Sequence, residues 1–279
     1  MILLMESLNA DIVGYLIRFI RRDKDKCRLL MTCQWISKCE VFFHEDILIN
    51  KIIRSRWFHK FTNIIVKNKK CKFPRKGLTP PLKASGFPSS ITSLTFNHEF
   101  NDSIKDYIPS TIVYLKFSDD FNQPIEGCIP PSVKNLNFGW SFDQPIRNCI
   151  PPSVKYLSFG YRFNQSIKKC IPFGVNFLHF GERFNQPIKG CIPSSVTRLG
   201  LDISFRHPVD IPSSVVELML YEYSDNLMRT IPTTVKKIIF VRRITMRQKI
   251  RAKRHLPNSK IMDIYDINGY YSDKKNYFC

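Results

Sequence analysis

Four of the nine cysteines stand in register. Cys128, Cys149, Cys170 and Cys191 follow one another at intervals of 21 residues. Thiols repeated in this way could ligate a metal, pair as disulfides or act as nucleophiles. A zinc site needs a close Cys-x-x-Cys pair or a companion His at ligand spacing, and the sequence has neither. The cysteine count is odd. The opening Met1, Ile2, Leu3, Leu4 and Met5 lacks the basic segment and long apolar run of a secretion signal. Both points argue against disulfides and for a reducing compartment, cytoplasmic or nuclear. The four thiols read best as a dry packing ladder in which Cys serves as a small hydrophobe. No metal and no cofactor is expected.

Other catalytic chemistry is equally thin. There is no Gly-rich phosphate loop of the G-x-x-x-x-G-K-[ST] type, no G-x-S-x-G and no H-E-x-x-H. The six histidines are scattered, without a base–nucleophile pair to argue from. We expect a protein that binds rather than one that catalyses.

The net charge of +20 is concentrated in two blocks. Residues 51–77 hold ten Lys or Arg and no acid, and residues 241–260 hold eight and no acid. Such blocks could hold phosphate backbones or act as nuclear import signals, and Trp57, Phe58 and Phe61 interleave the first of them. The plainer alternative is a solvated flank. No run of 18 apolar residues occurs, so no membrane span is expected.

The element that places the cysteines is a repeat. Segments 87–107, 108–128, 129–149, 150–170 and 171–191 have nearly the same text and read roughly I-P-x-S-V-x-x-L-x-F-x-x-x-F-N-Q-P-I-x-x-C. Shorter copies occupy 192–210 and 211–230, and a half-copy starts at Ile231. A period of this length dictates a solenoid. Its L-x-F step, as in Leu115 and Phe117, has period two, so both side chains face one side of a short strand. One such strand cannot bury its face alone; eight stacked copies make a parallel sheet over a continuous core. A second Phe column, from Phe100 through Phe121, Phe142, Phe163 and Phe184 to Phe205, fills the core on the convex side, joined by Ile104, Ile125, Ile146, Ile167 and Ile188. Gly139, Gly160 and Gly181 follow the strand, where a turn needs positive φ. Asn101, Asn122, Asp143, Asn164 and Asn185 supply partners for loop backbone, the alternative being a row of ligand contacts.

The strings Phe121–Ile125 with Ile129–Val133, and Phe184–Ile188 with Ile192–Val196, resemble the FNIP repeat, a family related in design to leucine-rich repeats. The resemblance covers about 87–240. It departs at Ser166, which replaces the motif's Pro, and at Phe173–Gly174.

Strand residues between the buried Leu and Phe point to the open face of the sheet. One column runs Ser93, Tyr114, Asn135, Tyr156, Phe177, Arg198, Glu217, Lys237. Its neighbour runs Thr95, Lys116, Asn137, Ser158, His179, Gly200, Met219, Ile239. Both vary in type while the core columns do not. Tyr114, Lys116, Tyr156, Phe177, His179 and Arg198 are the candidate contacts for a target protein, against the alternative of a solvated sheet face.

Residues 5–50 have helical spacing instead. Ile12, Leu16, Phe19 and Ile20 make one apolar face. A second helix carries Cys27, Leu30 and Met31, and a third, starting near Trp35 or Ser37, carries Phe42, Phe43 and Ile47. Segments Leu8–Ile12, Asp23–Leu30 and Thr32–Lys38 resemble an F-box, with Asn9 where a Pro is usual and Trp35 one residue early. Proteins joining F-box and FNIP repeats occur in amoebae and in large viruses that infect them. The resemblance implies docking on the adaptor subunit of a cullin–RING ubiquitin ligase through Leu8, Ile12, Leu16, Leu30, Cys33 and Trp35, whether as interface or as the fold behind it. A helical cap for the array is the other reading. The expected organisation is a small α-helical domain (5–50), a basic linker or cap (51–86), a leucine-rich-repeat-like solenoid of 21-residue repeats with a parallel β-sheet on one face (87–240), and a basic cap or tail (241–279). If viral, the chain would act in the host cell. Leu256–Ile261 reads as one more degenerate copy.

Overall fold

The structure, a computed structural model, describes residues 47–48, 63–66, 87, 89–96, 100–201 and 210–263. Its core is one parallel sheet of eleven strands in strict sequence order. The strands are β1 (Ile47–Leu48), β2 (Asn63–Val66), β3 (Ser93–Phe96), β4 (Tyr114–Lys116), β5 (Asn135–Asn137), β6 (Tyr156–Ser158), β7 (Phe177–Phe180), β8 (Arg198–Leu201), β9 (Glu217–Leu220), β10 (Lys237–Phe240) and β11 (Lys260–Asp263). The eight expected strands are β3–β10. Leu94, Leu115, Leu136, Leu157, Leu178, Leu199, Leu218 and Ile238 pair across them in one unbroken register.

The sheet extends past the expected array at both ends. β1 and β2 add parallel strands before β3. Ile47, expected on a helix, lies in β1, where this β-branched residue pairs with Ile64 of β2 and so extends the sheet edge. At the other end β11 pairs with β10, Ile261 beside Ile238, so the degenerate copy is a real turn of the solenoid. Two helices follow strands late in the chain: α1 (Asp225–Thr230), capped by Ser224, and α2 (Met246–His255). Thr245 and Gln248 close a reciprocal capping box on α2. The basic stretch 241–260 is therefore mostly structured, built from α2 and the start of β11.

Two stacked columns of phenylalanine fill the core. Phe117 and Phe121 are 4.3 Å apart within one turn, Phe138 and Phe142 4.1 Å, Phe159 and Phe163 3.9 Å, and Phe180 and Phe184 4.0 Å. Successive turns stack at 5.3 to 6.2 Å, as for Phe117 on Phe138 and Phe100 on Phe121. Ile104, Ile125, Ile146, Ile167 and Ile188 are buried beside them. Phe205 and the candidates Leu8, Ile12, Leu16, Leu30, Cys33 and Trp35 lie outside the described residues, as does most of 51–77.

The glycine expectation needs correction. Gly139, Gly160 and Gly181 do not have positive φ; they sit against the previous turn. A Cβ on Gly160 would lie 2.0 Å from the Gly139 carbonyl oxygen, and one on Gly181 2.2 Å from that of Gly160. Positive φ occurs one residue before the Cys column instead, at Asp106 (63°), Gly127 (66°), Asn148 (59°), Lys169 (57°) and Gly190 (66°).

Candidate binding face

The repeat aligns side chains on the open face by register alone. Tyr114, Asn135, Tyr156, Phe177, Arg198, Glu217 and Lys237 are successive partners along the sheet. Strand spacing of about 4.8 Å suits ring stacking and ion pairing between neighbours. Tyr156 and Phe177 stack with centroids 4.2 Å apart and planes 5° from parallel. The Arg198 guanidinium lies 5.3 Å from the Phe177 centroid, a cation–π contact. Farther along, Lys237 Nζ meets Glu217 Oε1 at 3.1 Å. The row thus passes from aromatic to cationic to an ion pair.

Two expected contact residues are inaccessible. Phe177 is only 5% exposed, enclosed in the Tyr156–Phe177–Arg198 stack. His179 is 9% exposed. Its ring lies along the sheet where the next strand has Gly200: a Cβ there would be 2.3 Å from His179 Cδ2. Gly200 therefore makes the space that the imidazole fills. Nδ1 lies 3.5 Å from Ser158 Oγ. Burial lowers the His179 pKa from 6.5 to about 4 against a smaller opposing hydrogen bond to the Phe159 backbone, so the ring is neutral near pH 7. The column that holds His179 is also closed at Asn137, Met219 and Ile239. Tyr114, Lys116, Tyr156 and Arg198 remain partly accessible.

A second aromatic–cation ladder runs along the rim, three residues past each strand end, and the sequence reading missed it. Trp140 and Tyr161 stack at 4.1 Å and 9°. The Arg183 guanidinium is 5.3 Å from the Tyr161 centroid. Trp140 is 51% exposed, although each neighbouring Phe is buried. The available signal was the column Asp119, Trp140, Tyr161, Glu182, which varies among invariant neighbours. The same geometry recurs where Arg242 lies 4.9 Å from the Tyr221 centroid.

The cysteine column is a structural ladder. Cys149 and Cys170 are buried and Cys128 and Cys191 partly so, all four as free thiols. Each Sγ donates to the carbonyl two residues back, at 3.2 Å for Cys149 to Arg147 and 3.3 Å for Cys170 to Lys168. Burial raises the pKa of Cys128, Cys149 and Cys170, which keeps these thiols protonated and weakly nucleophilic. Among the described residues no group of His, Cys, Asp or Glu could hold a metal ion, and no helix is long and apolar enough to cross a membrane.

Comparison with known proteins agrees with this geometry. The FNIP repeat matches residues 80–120, 121–162 and 163–203. Each matched unit covers two turns of the solenoid. No curated protein matches the chain. Among solved structures, the crystal structure of CroV588, a novel circular LRR protein, is similar at 23% identity with a TM-score of 0.50. The similar region is 74% of this chain and 33% of that one, so the chain spans about a third of CroV588's length. That likeness is one of fold. Stacked repeats of this kind typically serve as binding scaffolds. Residues 80–203 match three FNIP repeats and lie in a leucine-rich-repeat-like parallel solenoid.

Proposed function

We propose that this chain is a non-catalytic substrate receptor: the repeat array holds a target protein, and residues 5–50, which resemble an F-box, dock on the adaptor of a cullin–RING ubiquitin ligase. The observation that supports target binding is the pair of aromatic–cation ladders, Tyr156–Phe177–Arg198 on the sheet and Trp140–Tyr161–Arg183 on the rim. The core is already complete in the phenylalanine columns, so the solenoid does not need an exposed Trp140. Trp, Tyr and Arg are the types that dominate binding energy at protein interfaces. Phe177 acts from beneath, holding Tyr156 and Arg198 in place. The receptor would raise the effective concentration of a target lysine near the ligase, whose chemistry resides in other subunits.

Co-precipitation tests both halves. The full chain should recover adaptor and cullin subunits, and Leu8→Asp combined with Ile12→Asp should lose them. Binding of those subunits by the double variant would sink the F-box half. Trp140→Ala with Tyr156→Ala and Arg198→Ala should release the target while leaving the adaptor bound.

A further inference from the structure

Four exposed cations lie together on the turn that precedes the cysteine ladder: Arg147, Lys168 and Lys189 in one repeat column, with Lys169 beside Lys168. Their backbone is fixed by the cysteines. The Sγ of Cys149, Cys170 and Cys191 donates to the carbonyl of Arg147, Lys168 and Lys189 at 3.2, 3.3 and 3.4 Å. Arg147, Lys168 and Lys189 are thereby mounted one per turn, in single file, at about the 4.8 Å strand spacing, with Lys169 a second cation on the middle turn. None of the four makes an ion pair among the described residues. Like charges so placed repel along the row; Glu126, one turn before Arg147 in the same column, marks its end.

Lys169 is the informative member. It adopts φ 57° at a position filled elsewhere by Gly127, Gly190, Asn148 and Asp106. Those types enter the left-handed region with little strain, whereas Lys does not. The fold thus tolerates an unfavourable backbone in order to add a fourth cation to the row, and strain of this kind collects at functional positions. Phe173, four residues on, is 72% exposed where other copies carry Pro131, Pro152 and Ser194. Its ring has no place in the core.

We propose that Arg147, Lys168, Lys169 and Lys189, with Phe173, form a track for single-stranded nucleic acid. A one-dimensional row of cations matches a thread-like polyanion, and a single solvent-facing ring beside it suits base stacking. An anionic bilayer would call for a broader apolar surface than one phenyl ring. The track shares no residue with the open sheet face or with the basic terminal blocks, and it stands whether or not the receptor reading does.

The test is fluorescence anisotropy of a labelled 20-nucleotide oligouridine with the full-length chain, across a salt series. Replacing Arg147, Lys168 and Lys189 by Gln and Lys169 by Gly should weaken binding roughly tenfold at 0.15 M salt and flatten the log–log salt slope by roughly 3, at ~0.7 per phosphate contact. Replacing the equally exposed Lys134, Lys155, Lys236 and Lys260 by Gln removes the same charge elsewhere and should cost less than about threefold, the residue of nonspecific attraction. Phe173→Ser alone should weaken binding about fivefold or more if the ring stacks on a base. Lys169→Gly alone should raise the unfolding midpoint while weakening the RNA, opposite shifts that a loss of folding cannot produce. Equal losses in the row and control variants would overturn the proposal, as would failure of the unmodified chain to bind. Row-dependent binding to phosphatidylserine vesicles with RNA binding unchanged would overturn it too.

Discussion

The Oδ1 of Asn122 lies 2.9 Å from the backbone nitrogen of Asp143, one full turn farther along the solenoid. It also accepts from Gln144 Nε2 at 3.0 Å. The same pair of bonds recurs from Asn101 to Asn122 and Gln123, from Asp143 to Asn164 and Gln165, and from Asn164 to Asn185 and Gln186. The column is thus a continuous clasp between turns: each side chain satisfies the loop backbone of the next copy. Asn122→Ala leaves the Asp143 N–H without its partner, at a cost of about 2 kcal/mol. Asn122→Asp should be tolerated, since Asp143 already fills the role as a carboxylate. Denaturant midpoints of the two variants decide the matter; an Ala variant as stable as Asp would show the clasp to be dispensable.

A methyl group on Gly160 has nowhere to go. Its Cβ would stand 2.0 Å from the Gly139 carbonyl oxygen and 2.9 Å from the Trp140 nitrogen, both backbone atoms of the preceding turn. Relief requires the turns to separate, which would disturb the adjacent Phe138–Phe159 stack at 5.3 Å. Gly160→Ala should destabilise by roughly 3 kcal/mol, at the upper end of overpacking costs. Gly127→Ala meets no atom within 4 Å, yet should still lose about 1 kcal/mol because its φ is 66°. Thermal unfolding of the two variants should rank them in that order.

Lys169 offers the converse substitution. At φ 57° an L-residue with a Cβ is strained by ~1 kcal/mol, and glycine removes that strain while gaining some freedom in the unfolded chain. Lys169→Gly should therefore stabilise by somewhat less than 1 kcal/mol. A lowered unfolding midpoint would mean that Lys169 has a packing role its exposure does not suggest.

The period made the sheet legible before any residue was placed, because Leu-x-Phe repeated every 21 residues has only one way to bury its apolar side. The Asn and Cys columns followed for the same reason: identical residues at identical positions meet their own copies. What escaped was whatever depends on a neighbouring turn. The glycine after each strand read as a positive-φ turn, although its reason is the carbonyl of the turn before it. His179 read as an open-face contact, because nothing local says that Gly200 one strand on leaves room for its ring. Trp140 and Tyr161 looked like unremarkable loop residues until stacking brought them face to face. β1, β2 and β11 lack the repeat consensus, so their membership in the sheet was legible only in part, from the degenerate Leu256–Ile261 copy.

His179 should make stability depend on pH. Its pKa is about 4 in the folded chain and 6.5 when exposed, so between those values the unfolded state binds a proton that the folded state refuses. Stability is fully present above pH 6.5 and declines as the pH falls from there toward 4. The total is on the order of 3 kcal/mol, at 1.36 kcal/mol per pKa unit. Its upper part, from pH 6.5 to 5, is the cleanest to read, because carboxylates contribute little there. His179→Gln keeps a polar side chain of similar reach over Gly200 but has no proton to take up. The variant should unfold at nearly constant denaturant concentration between pH 7 and 5, while the unmodified chain should become progressively easier to unfold. Parallel curves for the two proteins would mean that protonation of His179 is not opposed by folding, and that its imidazole is reached by solvent.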